Sequence, residues 1–290
     1  RHMFEANEWA RHEAASGADV LTTMEKAKSQ FAGPEIFGKT LGIIGLGAIG
    51  AKVADAALGL GMNIVGYDPY LSVHAALSLD RRVDVVSNLD DLLKVSDYIT
   101  IHVPLNDSTR NTIDAAAIAK MKGDVRIINL ARNGLVDEEA LIPALESGRV
   151  AAYVTDFPDN RIANAAGVIA LPHLGASTPE SEDNCAIMAA HEIQDYLENG
   201  NITNSVNMPA VSMERSGEAR ICVIHHNIPN TLAQITSIVS GAGMNVENLA
   251  NKSRKDYAYT MLDVDGKVTD AMVEQIKGVE GVIRVRVMQH

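Results

Sequence analysis

From Lys39 onward, short apolar runs alternate with longer stretches whose apolar residues recur at helical spacing. Thr40-Leu-Gly-Ile-Ile-Gly45 reads as a strand, followed by a helical run to Leu60. Asn63–Tyr67 is the next strand, ended by an Asp68-Pro69 turn. Further strands are predicted over 83–86, 98–103, 125–130, 151–155 and 167–171, with helices over 89–95, 112–121 and 137–147. Strands of about five residues alternating with helices predict βαβ units and a parallel sheet. Right-handed crossovers then give a doubly wound, Rossmann-type α/β domain.

The flanks differ. Residues 1–30 read as polar helical pieces broken near Gly17, with no core of their own. The start at Arg1 reads as a cut or a tag remnant, although Met3 could be native. Residues 179–199 predict one long helix, opened by Thr178-Pro179-Glu180-Ser181 and closed by Asn199-Gly200. The polar stretch 201–217 reads as a linker. A new rhythm then begins: strand 219–225, helix 229–241, strands 245–253 and 257–264, helix 270–277, strand 282–287. That is βαββαβ, the ferredoxin-like order. The expected organisation is a helical lead-in or remnant over 1–37, a Rossmann domain over 38–178, a long helix and linker over 179–217, and a small domain over 218–290.

Composition narrows the chemistry. The 290 residues carry 25 Lys+Arg against 37 Asp+Glu, a formal net charge of −12. A general nucleic-acid binder needs a basic face, so that class is excluded, and docking on anionic lipid is disfavoured. Apolar residues are 47% of the chain with only 4 Phe and 1 Trp, so the core must be aliphatic, as suits a sheet buried on both faces. Two isolated cysteines, Cys185 and Cys222, offer neither a disulfide framework nor a Cys-ligated zinc site, and no metal is expected. With no membrane-length apolar run and no signal-peptide pattern, the expectation is a soluble, cytoplasmic protein.

The strongest motif is Gly45-x-Gly47-x-x-Gly50, which follows a strand and opens a helix. Gly45 permits a tight turn, Gly47 lets a pyrophosphate approach the backbone, and Gly50 lets helix and strand pack closely. Asp68 ends the second strand, where a carboxylate accepts from the ribose 2′-OH and repels a 2′-phosphate. Arg132 ends another strand; its fork suits a carboxylate, and it reads equally well as a solvated strand-end arginine. His173, between an apolar strand and a helix, can take a hydroxyl proton near neutral pH or serve as an ordinary loop histidine. His102 reads as a packing and turn residue.

Taken in order, Gly45–Gly50, His102-Val103-Pro104, Asn129-Leu130-Ala131-Arg132 and Pro172-His173-Leu174-Gly175 resemble the D-2-hydroxyacid dehydrogenases over about Gly38 to Val206. Residues 219–290 resemble an ACT domain, and Asn204-Ser-Val-Asn-Met-Pro209 resembles the join of the phosphoglycerate-oxidising branch of that family. The resemblance implies NAD-dependent oxidation of 3-phospho-D-glycerate to 3-phosphohydroxypyruvate, the first step of serine biosynthesis, in a homodimer or homotetramer. Arg132 would bind the substrate carboxylate and carbonyl oxygen, and His173 would be the acid–base. Gly45, Gly47, Ala48, Ile49, Gly50, Asp68, His102, Val103, Pro104, Leu130, Ala131, Asp156 and Gly175 would surround NAD. His225, Asn227 and Asn245 would bind L-serine as an effector between two ACT domains, and are expected to converge at one end of the domain.

The chain departs from the family pattern twice. The family places a Glu a few residues after the Asp matched by Asp156, and that Glu orients the His; here the segment reads Asp156-Phe-Pro-Asp-Asn-Arg161. The matching place holds Asn160 or Arg161, Asp159 is a candidate substitute, and the partner of His173 stays open. The family also begins with a substrate lobe of about one domain's length. Only 37 residues precede the first Rossmann strand here, so the chain reads as a fragment or as a protein lacking half its cleft. Two other readings follow: a non-catalytic protein that binds NAD and an amino acid, or a dehydrogenase of another D-2-hydroxy acid, which the amino-acid sensor argues against.

Overall fold

The computed structural model describes residues 2–289. The chain divides into two compact units at Gly175/Ala176. The first opens with α1 (Met3–Ala15) and α2 (Val20–Ala27), separated by Gly17 in a left-handed turn at φ +81°. Then follow β1 (Thr40–Ile44), α3 (Ala48–Gly59), β2 (Asn63–Tyr67), α4 (Val73–Ser78), β3 (Val83–Val86), α5 (Leu89–Val95) and β4 (Tyr98–Ile101). The unit closes with α6 (Ala115–Lys120), β5 (Val125–Asn129), α7 (Glu138–Glu146), β6 (Val150–Thr155), α8 (Asn160–Ala163) and β7 (Val168–Ala170).

These strands form one sheet in the order β3-β2-β1-β4-β5-β6-β7, every pair parallel. The order reverses direction between β1 and β4, the place where doubly wound sheets open a ligand crevice. Aliphatic side chains fill the core, among them Ile43, Leu92, Ile99, Ile101, Ile113 and Leu141, all fully buried. Helix starts are set locally. Asn88, Asp114 and Asp137 each accept a backbone N–H of the first turn of α5, α6 and α7.

Two local differences from expectation have simple causes. The helix expected over 112–121 spans only Ala115–Lys120, because Asp114 caps it and Ile113 is held in a parallel bridge with Val136. The short α4 was not expected; Ser72 starts it by accepting from Ala75 N–H.

The second unit starts with α9 (Pro179–Asn199), capped by Thr178 and stopped by Gly200 at φ +76°. Beyond it lie β8 (Ala219–His226), α10 (Thr231–Gly241), β9 (Val246–Arg254), β10 (Tyr257–Val264), α11 (Asp270–Lys277) and β11 (Val282–Gln289). The sheet is antiparallel, in the order β11-β8-β10-β9. One face carries an apolar cluster with Ile235 and Val239 of α10 and Met272 and Ile276 of α11.

The stretch 201–217 is not a loose linker. Ile202 and Val211 pair with each other, and with Met213 they cluster on Cys222, Tyr259 and Met261, on the opposite side of the same strands. Four of its five large apolar residues, Ile202, Met208, Val211 and Met213, cover the sheet, while Val206 is exposed; their spacing is masked by intervening polar residues.

Arg220 fixes this arrangement. It lies fully buried on β8, directly opposite Asp263 on β10, itself fully buried. Arg220 Nε and Nη2 donate to the two Asp263 oxygens at 2.6 and 2.7 Å. Its remaining donors take the carbonyls of Asn199, Met213 and Glu214 at 2.7 to 2.9 Å. The guanidinium's five N–H groups are thus all used, and one side chain ties the end of α9 and the covering segment to the sheet.

Removing Asp263 leaves a buried, unpaired cation. Asp263→Ala should cost about 3–5 kcal/mol in the second unit's denaturant transition. Burial alone would raise the Asp263 carboxyl, but Arg220 and the Ser216 N–H hold it below the ordinary carboxylate range. A lowered folded-state value means that this stability is present at neutral pH. It is lost as pH falls from about 4 through the folded value. An acid titration of thermal stability checks this, with the Asp263→Ala curve expected to be flatter.

Candidate active site

Parallel strands all end at the same edge, so the loops after β1, β2, β4, β5, β6 and β7 share it. The glycine turn lies after β1. Gly45 has φ +95°, and a Cβ on it would meet the His102 carbonyl oxygen at 2.7 Å and Val103 at 2.8 Å. The His102 N–H donates to Ile44 O at 2.7 Å, which brings residues 102–104 against this turn. A Cβ on Gly50 would lie 2.0 Å from Gly45 O, so helix and turn touch directly.

Gly47 is different. Its φ is −68°, and a Cβ on it would meet nothing within 4 Å. Neither backbone strain nor packing requires glycine there. Gly47, Ala48 and Ile49 are exposed, and no side chain caps the first turn of α3. Free N–H groups at a helix start, with a Cβ missing only on the open side, fit a close-lying phosphate group. The residues present therefore fit a dinucleotide.

Asp68 stands beside the turn at the end of β2. Its Oδ2 accepts from Leu46 N–H at 3.0 Å and its Oδ1 from Tyr70 N–H at 2.9 Å. The carboxylate is held in place with lone pairs left over on each oxygen. His102 pairs through Nε2 with Thr100 Oγ1 at 3.0 Å. Burial holds its imidazole below the usual histidine range, so it is neutral near pH 7 and suits a packing role.

A second group forms after β5, β6 and β7. Buried Asn129 ends β5 and donates to Arg132 O at 2.9 Å and to Tyr153 Oη at 3.2 Å, and it accepts from Ala131 N–H at 3.3 Å. It pins the loop carrying half-exposed Leu130, Ala131 and exposed Arg132. The Arg132 guanidinium lies 5.9 Å from the Phe157 ring centroid, and the His173 ring lies 4.4 Å from the same ring. Phe157 thus neighbours both groups expected to do the chemistry. His173 Nδ1 is 2.8 Å from Asp156 Oδ2, while a Cβ on Gly175 would lie 3.6 Å from Nε2. Asp159 accepts instead from Arg161 and Ile162 N–H at the start of α8, and Arg161 pairs with Glu139. The candidate substitute Asp159 is therefore committed to a cap, and Asp156 is the carboxylate beside His173.

Sequence reasoning passed over Asn129 and Phe157. Asn129 had a weak signal, a polar residue directly after the apolar pair Ile127-Ile128, and the structure leaves it only 1% exposed. Phe157 had none, because its neighbours come from two other loops.

In the second unit the expected convergence fails. β8 and β9 are both antiparallel to β10, hence parallel to each other. His225 lies at the far end of β8 and Asn227 just past it, whereas Asn245 precedes the near end of β9. The strand-helix-strand crossover through α10 carries the chain back before β9 starts, and this separates them. His225 is buried, with Nδ1 against His226 O at 2.8 Å and Nε2 against Thr260 Oγ1 at 2.9 Å. Asn227 and Asn245 are exposed. Asn230 takes the left-handed turn at φ +69°, as asparagine tolerates.

A family model for the D-isomer specific 2-hydroxyacid dehydrogenase, NAD binding domain, matches residues 1–175. The chain belongs to that family. The dinucleotide suited to its glycine turn is accordingly NAD. A D-3-phosphoglycerate dehydrogenase of Methanocaldococcus jannaschii is 41% identical over 199 residues, 67% of this chain and 38% of that protein. One from Escherichia coli K12 is 33% identical over 267 residues, 88% of this chain and 64% of that protein. The chain thus spans between about two fifths and two thirds of the length of these relatives. A crystal structure of a glyoxylate reductase from Paecilomyes thermophila is similar with a TM-score of 0.55 at 33% identity, covering 64% of this chain and 58% of that one. Among the described residues, no helix is long and apolar enough to cross a membrane.

The three glycines separate experimentally. Gly47→Ala should change thermal stability little, under about 1 kcal/mol for a cap change. It should nevertheless weaken NAD binding at least about tenfold, or ~1.4 kcal/mol. Gly50→Ala should lower both, since a Cβ cannot fit 2.0 Å from Gly45 O. Calorimetric titration with NAD and a thermal melt of each variant check this; equal NAD affinity in Gly47→Ala and the parent chain would remove the turn from the binding site.

Proposed function

We propose that the protein oxidises 3-phospho-D-glycerate with NAD, giving 3-phosphohydroxypyruvate, and that its second unit is an ACT domain sensing L-serine. The observation that carries the first part is the grouping of Arg132 and His173 around Phe157 at the sheet edge that also bears the glycine turn. Support for this substrate over another 2-hydroxy acid comes from coverage: the E. coli D-3-phosphoglycerate dehydrogenase aligns with 88% of the chain, so the likeness extends into the second unit.

When bound, NAD supplies the hydride acceptor. Arg132 takes the substrate carboxylate through its fork, with Phe157 under its guanidinium limiting its motion. His173 Nε2 removes the proton of the 2-hydroxyl as the hydride leaves the same carbon. Asp68 accepts from the adenosine ribose. Asp156 Oδ1 is buried without a hydrogen-bond partner among the described residues, and it suits an amide donor of the cofactor. His102, Val103, Pro104, Leu130, Ala131 and Gly175 would line the cofactor's approach. Arg132 is exposed and the His173 side chain is 47% exposed, so water reaches both groups. Turnover by this 290-residue chain is expected to be slow until a further surface closes over them.

For serine, Asn227 and Asn245 would offer amide donors and acceptors from opposite ends of the small domain, with His225 buried at the end of β8 that leads to Asn227. One ligand touches both ends only where two copies meet in opposite orientation. The edge strands β9 and β11 are open to such pairing.

NADH formation from NAD with 3-phospho-D-glycerate, D-lactate and D-glycerate tests the substrate. The phosphorylated acid should be fastest, and Arg132→Lys should lose most activity because an ammonium cannot copy the fork. Faster oxidation of an unphosphorylated acid would contradict the reading. NAD should bind more tightly than NADP, and Asp68→Ala should narrow the difference by about 1–3 kcal/mol. L-serine should raise the stability of the second unit in the dimeric chain, an effect weakened by Asn227→Ala. No stabilisation at millimolar serine would remove the effector role.

A further inference from the structure

The first unit holds His173 with a carboxylate, but from an unexpected place. β6 and β7 are parallel neighbours with Thr155 opposite Ala170, and Leu171 N–H donates to Thr155 O at 2.9 Å. Residues just past these two strand ends therefore emerge side by side. Asp156 is the first residue past β6, and His173 is the third past β7. A short aspartate arm suffices to span the gap, and Oδ2 reaches Nδ1 at 2.8 Å.

We propose that Asp156 is the positioning residue for His173, doing alone what a separate glutamate on the following loop would otherwise do. This rests on the reading of His173 as the proton acceptor. The other acids of these loops are otherwise engaged: Asp159 caps α8, and Glu138 and Glu139 both face Arg161. Asp156 itself is only 9% exposed, and its Oδ1 has no partner among the described residues. Among the described residues, the imidazole is thus the carboxylate's one side-chain partner. A carboxylate can only accept, so Nδ1 carries the proton and Nε2 is left as the acceptor, the atom that must face the substrate hydroxyl. Phe157, the residue next to Asp156, packs against the imidazole in a tilted pair, with centroids 4.4 Å apart and planes at 31°, and limits the ring's tilt. One dipeptide, Asp156-Phe157, therefore sets the tautomer and the tilt of His173.

The arrangement has a consequence that a two-carboxylate design lacks. The same carboxylate that orients His173 through Oδ2 keeps Oδ1 without a partner among the described residues, an acceptor that a cofactor amide could use. Removing its charge should disturb imidazole and cofactor together.

The test is nitrogen NMR of the His173 ring in the 290-residue chain, assigned by comparison with His173→Gln and recorded with the imidazole neutral. The parent chain should show the Nδ1–H tautomer as the dominant species. In Asp156→Asn that dominance should be lost, and in Asp159→Asn it should persist. NAD affinity, measured by titration on the same samples, should fall in Asp156→Asn and hold in Asp159→Asn. An unchanged tautomer in Asp156→Asn would overturn the proposal. If that variant does not fold, the parent spectrum decides alone, since a dominant Nε2–H tautomer there excludes an Nδ1–H bond to Asp156. The tautomer is read without substrate. A failure to oxidise 3-phospho-D-glycerate would therefore count against the proposed function while leaving this result standing.

Discussion

The common direction of seven strands is the constraint on which the rest depends. Because every strand of the first sheet is parallel, every strand-end loop lies at one edge. Residues as far apart in the chain as Gly45, Asp68, Arg132, Asp156 and His173 are thereby gathered without any long excursion of the backbone. The register does the fine positioning. Pairing of β1 with β4 presses His102 and Val103 onto the Gly45 turn, and pairing of β6 with β7 sets Asp156 beside His173.

The second unit relies on a different device. Its sheet is antiparallel and covered on both faces, by α10 and α11 on one and by residues 201–213 on the other. The second cover is held by polar chemistry as much as by apolar contact. Arg220 and Asp263 are fully buried and mutually neutralised, and the leftover guanidinium donors take the last carbonyl of α9 and those of Met213 and Glu214. Tyr259 Oη adds a bond to Gly200 O at 2.7 Å, and Arg286 Nη1 one to Tyr196 O at 2.7 Å. The end of α9 is thus bound to the sheet through several of its last carbonyls, which a helix end must satisfy somehow. Any rearrangement of the small domain carries the end of α9 with it.

Much of this was legible in the sequence, and the reason is local. Strand positions in both units follow from apolar runs bounded by turn residues, and the glycine motif follows from its place between a strand and a helix. Thr178, Gly200 and Asn230 do at the helix ends what their residue types favour. What escaped was set by register and direction. The Asp156–His173 pair joins residues seventeen apart across two strand ends. The opposite placement of Asn227 and Asn245 depends on β8 and β9 being parallel, which a list of elements does not contain. The cover over 201–213 was hidden because its apolar residues are interleaved with asparagine, serine and proline and keep neither a helical nor an alternating period.

The central claim is that the carboxyl edge of the parallel sheet is the single place where cofactor and reacting groups meet. Amide chemical-shift mapping of the isotope-labelled chain during titration with NAD tests it most directly. The account predicts that the largest changes fall at Gly45–Ile49, Asp68, His102–Val103, Leu130–Arg132 and Asp156, with the amides of β8 to β11 unmoved. Changes centred on the opposite edge of that sheet, or on the second unit, would contradict it.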